Sequence, residues 1–193
     1  MALKLITAPA AEPILTADAR AHCRVDDTTD KSYLDALVSA AREHCEMFTR
    51  RAFINQTWDL YLDEFPADGV IRIPKPPCSS ITYVKYYDSA GTLTTIDAAD
   101  YSLDTVNEPA RLTPAYGEVW PSPQCIPNAV IVRFVCGYGV AGTAVPTSIV
   151  HAMKLLVGHW YENREQVVTG TIASNLPMAA ESLLWGNRVL EIV

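Results

Sequence analysis

The sequence predicts an α+β protein, a small helical bundle core with an inserted antiparallel β domain. Three observations carry that prediction. Apolar residues recur at spacings of three and four over 31 to 52 and again over 147 to 165. Between these stretches, residues 55 to 137 change to two-residue alternation punctuated by proline and glycine. Neither helix can bury its apolar stripe alone, so the two are expected to pair across the insertion.

Taken in order, residues 1 to 14 read as an N-terminal extension. They hold one lysine and a short apolar patch broken by Pro9 and Pro13, too short and too interrupted for a signal peptide or a membrane span. The chain is therefore expected to be made and folded in the cytoplasm. Thr16 can cap a short helix through about Val25, and the polar run Asp26 to Asp30 can cap the next one. In that helix Leu34, Leu37, Val38, Ala41, Cys45, Phe48 and Ala52 form one stripe, leaving Arg42, Glu43, Glu46 and Arg50 to a solvated face.

From Trp58 to Asp63 apolar and polar residues alternate, the mark of a half-buried strand. Val70 to Ile73 forms a second strand, closed by Pro74, Pro76 and Pro77 because proline cannot donate to a ladder. Ile81 to Tyr87 and Thr92 to Ile96 flank Asp88-Ser89-Ala90-Gly91 and predict a hairpin. Short strands are expected at Tyr101 to Leu103 and Ala110 to Thr113. Tyr116 to Asn128, rich in proline around Trp120, predicts an ordered loop pinned by that one aromatic, and Ala129 to Cys136 predicts a central strand. Pro146 opens the last long helix. Residues 166 to 176 lose periodicity and predict a mobile loop, after which Pro177 can start a short terminal helix that Gly186 ends.

Composition narrows the function. With 49% hydrophobic and 19% charged residues the chain should fold. Its net charge is -7, and residues 55 to 137 hold ten acidic against five basic residues. Gripping duplex DNA takes several cations to neutralise phosphates, and the densest basic pair is Arg50-Arg51, so tight nucleic-acid binding is not expected. An acidic surface could line a passage through which DNA moves without sticking. The five cysteines, odd in number and without a CxxC pair, read as reduced core residues.

Few residues suggest chemistry. His151 and His159 lie roughly 12 Å apart along a helix axis, too far to share an ion unaided. His159 and Glu162 have the i, i+3 spacing of some di-metal bundles, but no partner helix offers a matching ExxH. No GxSxG elbow is present, and the glycines at 137, 139 and 142 do not make a phosphate loop. No catalytic residue, cofactor or metal ligand is predicted. Leu183, Leu184, Trp185, Val189, Leu190, Ile192 and Val193 crowd the last eleven positions. They read either as a terminal helix folded back on its own domain or as a docking segment for a partner chain.

Five stretches together carry a resemblance: LTADARAHCRVDD at 15 to 27, AAREHCEMFTRRAFINQTWDLYLDEFP at 40 to 66, AYGEVWPS at 115 to 122, VRFVCGYG at 132 to 139 and HWYENRE at 159 to 165. In order and over nearly the whole chain they resemble the head-tail connector, or adaptor, proteins of long-tailed bacteriophages. The similarity is to the longer subgroup with a β insertion, also seen in prophages and gene transfer agents. That resemblance implies a virion structural protein and not an enzyme. The implied helical core is 15 to 54 with 146 to 193, and the β insertion is 55 to 137. Copies would form a homo-oligomeric ring, a dodecamer, at the head-tail interface. Double-stranded DNA would pass through it without specific binding, during packaging and ejection. The implied partners are a second copy, the portal protein and a stopper or tail-side neck protein, with no membrane contact. The portal-docking segment would fall on 166 to 193, with Met178, Leu183, Leu184, Trp185, Val189, Leu190, Ile192 and Val193 as its contacts. The rivals are a stopper or tail-completion neck protein and, from another class, a metal-dependent hydrolase on the His151/His159/Glu162 face.

Overall fold

The computed structural model describes residues 1–26, 29–164 and 178–190. It is an α+β structure of four α-helices and eight strands in two antiparallel sheets. The chain divides into two compact units, a β unit of Met1–Ala10, Asn55–Tyr138 and Leu190, and a helical unit of Ala11–Ile54 and Gly139–Val189. Among the described residues no helix is long and apolar enough to cross a membrane.

The helical unit contains α1 (Thr16–Cys23), α2 (Lys31–Thr49), α3 (Thr147–Glu162) and α4 (Met178–Trp185). Its core is the pairing that the two amphipathic stripes require: Leu34, Val38, Ala41 and Cys45 of α2 are buried, as are Ile149, Ala152, Met153, Leu156 and Val157 of α3. Two ends differ from the expected ones. α2 stops at Thr49, not at 52, because Arg50 adopts the left-handed conformation (φ 59°) that terminates helices, while Thr49 Oγ1 donates back to the Cys45 carbonyl. Ala52, Phe53 and Ile54 beyond it are buried nonetheless. α1 ends at Cys23 for the same reason, with Arg24 at φ 55°. Glu165 and the loop expected at 166 to 176 lie outside the described residues.

Of the four α2 residues expected to be solvated, Glu43 and Arg50 are exposed and Arg42 and Glu46 are not. Arg42 and Glu46 are only 8% and 7% exposed. Arg42 donates to Glu12 Oε2 at 2.8 Å and to Glu46 Oε2 at 3.0 Å, and reaches Glu43 at 3.4 Å. The other Glu46 oxygen accepts the Phe53 backbone N–H at 2.7 Å, and Ser39 Oγ donates to Glu12 at 2.9 Å. A charge this far from water is tolerable only because each group has a partner of opposite sign and hydrogen bonds besides.

In the β unit, β1 (Ala2–Thr7), β2 (Gln56–Leu62), β8 (Val130–Cys136), β4 (Cys78–Tyr87) and β5 (Leu93–Ile96) form a five-stranded sheet in that spatial order. A second sheet has the order β3 (Ile71–Ile73), β7 (Ala110–Pro114) and β6 (Tyr101–Asp104). β8 is the central strand, and Val130, Val132, Phe134 and Cys136 alternate into the core. Arg133, which interrupts its apolar run, points to the other face. There it makes two hydrogen bonds to Asp59 of β2, at 2.7 and 2.8 Å, and stacks at 4.9 Å over Tyr83 of β4. The loop expected to hang on Trp120 does so: its indole donates to the Gly69 carbonyl at 2.8 Å and stacks on Phe65 with the rings 4.8 Å apart.

Two expectations need correction. Part of the N-terminal extension is strand β1, paired with β2 from Ala2 opposite Tyr61 to Leu5 opposite Trp58. All six of its residues are exposed, so its pairing comes from backbone hydrogen bonds and leaves no burial pattern to read. The cysteines are all free, but only Cys45, Cys78 and Cys136 are core residues, Cys23 being half-buried and Cys125 exposed on the proline-rich loop.

Two outcomes are expected. Arg42→Met strands Glu12 and Glu46 without their cation and should cost about 3 kcal/mol in urea unfolding, against little for the exposed Arg50→Met. Burial pushes the thiols of Cys45 and Cys78 up to about 12 and about 11, so a thiol reagent should label Cys125 of the native protein first and leave Cys45, Cys78 and Cys136 protected until it unfolds.

Candidate partner-docking surface

The C-terminal residues are held to the helical unit by the chain that follows α4. Gly186 and Asn187 turn the chain, with Asn187 N–H donating to the Leu184 carbonyl at 2.9 Å and Asn187 Nδ2 donating to Ser148 Oγ at 3.0 Å. Arg51 Nε then donates to the Asn187 carbonyl at 2.6 Å, and Val189 N–H to the Thr49 carbonyl at 3.0 Å. The Thr49 carbonyl is one of the last four of α2, which lack a partner within the helix. The end of one helix is thus stitched to the chain leaving another.

That stitching sorts the apolar residues expected to dock. Leu184 is fully buried and Val189 is 8% exposed, so these two are core and offer no surface to a partner. Leu183 is half-buried. Met178, Trp185 and Leu190 are 81%, 56% and 75% exposed, and Met178 and Trp185 lie seven residues apart, about two turns along one side of α4. Ile192 and Val193 lie outside the described residues.

The structure adds residues that the sequence reading left out. Phe48 of α2 packs against Trp185, ring centroids 6.0 Å apart and planes tilted by 46°. Met47, beside it in the sequence, is 72% exposed, and its position between Glu46 and Phe48, off the buried stripe, was a signal available in the sequence. Arg188 lays its guanidinium over both rings, 5.2 Å from Phe48 and 4.7 Å from Trp185. The result is an apolar and aromatic face with a cation held flat on it.

HWYENRE has a structural role in the same unit. Tyr161 Oη donates to Asp30 Oδ2 at 2.6 Å, and Arg164 donates to the same oxygen at 2.8 Å while stacking on Tyr33 at 4.8 Å and Tyr161 at 5.2 Å. Trp160 meets His44 edge-on at 5.9 Å. The motif clamps the end of α3 to the start of α2. His151, His159 and Glu162 are exposed, and among the described residues no three His, Cys, Asp or Glu side chains converge as metal ligands would. Next to His151 stand His22 and Lys154. Burial first, and then His151 and Lys154, hold the His22 imidazole below its ordinary value.

The β unit has its own candidate surface, an open cleft of about 780 Å³ lined by Phe65, Pro66, Trp120, Pro121, Pro123 and Pro127, with Asp63 and Glu64 also at its wall. It is apolar and carries no catalytic grouping.

No family model matches this chain, and neither does any curated protein. Among solved structures the chain matches one in the neck of an empty GTA particle computed with C6 symmetry and one in the virion of a native gene transfer agent (GTA) particle, both with a TM-score of 0.80. It also matches a chain in the neck of a native GTA particle computed with C12 symmetry, with a TM-score of 0.74. Each is 24% identical, and each alignment covers 100% of this chain and 98% of that chain. From end to end, this chain has a fold found in gene transfer agent neck and virion chains.

Proposed function

We propose that this protein is a structural component of a phage-like virion neck. It is a head-tail connector, or adaptor, that forms a ring between the portal and the tail-side neck proteins. The observation that carries this reading is the fold match to neck chains over 100% of this chain and 98% of theirs. The order of motifs along the sequence points the same way. Necks computed with C6 and with C12 symmetry are both compatible with twelve copies per ring. The excess of acidic over basic residues in 55 to 137 suits a protein past which double-stranded DNA must move without being held.

Portal docking falls on the exposed residues of α4, Met178 and Trp185, together with Leu183 at their margin and Met47 and Phe48 of α2. Truncation is a poor test, because removing α4 also removes the buried Ala180 and Leu184. Surface substitutions separate docking from folding. Trp185→Ala with Met178→Ser and Met47→Ser should keep the thermal transition within a few degrees of the parent while weakening attachment to assembled portal rings at least about tenfold. Undiminished attachment by that triple variant would rule out this docking surface. Single-particle imaging of the portal complex should show a closed ring of this chain. A monomer bound at one position would overturn the ring.

A further inference from the structure

We infer that the docking surface recognises an acidic, apolar segment of its protein partner, and that Arg188 is the residue that selects it. The inference rests on the docking reading above and adds the chemistry of the partner. Arg188 lies over the rings of Phe48 and Trp185 and has no ion-pair partner among the described residues, and its Nε is buried without a hydrogen-bond acceptor. A guanidinium in that position has given up water on the face that touches the rings and still presents its fork of donors at the edge. Such a group binds a carboxylate well: the fork matches two carboxylate oxygens, little side-chain freedom is left to lose, and the neighbouring rings lower the local dielectric.

The surroundings extend the same pattern. Arg50 is exposed at the left-handed end of α2, and Val189 is hydrogen-bonded to Thr49 beside it, which brings the neighbourhoods of Arg50 and Arg188 together. Arg51, the third cation here, already holds the Asn187 carbonyl. The exposed Glu181 of α4, three residues after Met178 and four before Trp185, lies on the same side of that helix, so the positive character belongs to these arginines and not to the whole face. In the same unit Met47, Met178 and Trp185 are exposed. A matching partner segment therefore carries an Asp or Glu to meet Arg188 and aliphatic or aromatic side chains to cover the methionines and the indole. Duplex DNA fits less well: two arginines neutralise few phosphates, and phosphate gives nothing for the thioethers to bury.

The test compares Arg188→Glu, Arg188→Gln and Arg188→Lys with the parent protein and with Trp185→Ala, all in full-length protein checked by thermal melting. The probes are assembled portal rings at low and at higher salt, and a short duplex DNA. Arg188→Gln should weaken portal binding at least about tenfold and Arg188→Glu further, with Arg188→Lys between Gln and parent because an ammonium lacks the fork. Parent binding should fall as salt rises, and the Arg188→Gln variant should have lost most of that dependence. If the Arg188 variants bind like the parent while Trp185→Ala is weakened, the acidic-partner inference is wrong and docking stands. If Trp185→Ala also binds like the parent, the docking surface itself is wrong. Binding of the duplex by the parent, lost in Arg188→Gln with portal binding unchanged, would assign the cation to DNA and overturn the inference.

Discussion

The helical unit depends on the burial of Arg42 between Glu12 and Glu46. Arg42 and Glu46 are withdrawn from water and Glu12 is half-buried, so removing the one cation leaves two carboxylates without it, Glu46 in a poorly solvated place. The set also decides where the chain goes. Glu12 follows the first passage of the chain from the β unit, and Phe53, whose N–H is taken by Glu46, comes just before the second. The charged set therefore holds Glu12 and Phe53, which stand near two of the passages between the units. A neutral core at the same place would bury as much surface, but it would not specify which segments meet.

The β unit repeats the device with Arg133. In the central strand β8 an arginine would be costly on the core face, and the two-residue period puts it on the other side, opposite Asp59 and beside Tyr83. Its two hydrogen bonds and its ring contact tie β2 and β4 across the strand between them. Because a slip of one residue would carry Arg133 into the core and Phe134 out of it, the pair also pins the register. The extended strand β1 has no such lock, and only its ladder to β2 holds it.

The proposed docking face is continuous with the structural core beneath it. Leu184 and Trp185 are adjacent in α4, one fully buried and the other 56% exposed, so the helix that anchors the C-terminal segment also presents its aromatic. The hydrogen bond from Val189 to Thr49 and that from Arg51 to Asn187 set the position of Arg188 against Phe48 before any partner arrives. A partner that meets a surface already in place spends less of its binding free energy on ordering side chains.

The sequence by itself determined what local periodicity can carry. The α+β class, α2 and α3 with their buried stripes, β8 as the central strand and the Trp120 loop were all legible, because each is a repeat of apolar residues or a local run of turn formers. Tertiary structure alone decided what depends on a distant partner. β1 looked like an extension because both its faces are exposed and its only support is β2, more than fifty residues away in sequence. Arg42 and Glu46 looked like a solvated face because their burial depends on Glu12 and Phe53. The apolar residues from Leu183 to Val193 read either as a helix folded back on its own domain or as a docking segment, and among the described ones Leu184 and Val189 went to the core while Trp185 and Leu190 stayed outside. Hydrophobicity says that a side chain gains by leaving water, and it is the neighbouring helices that decide which of several such side chains find room.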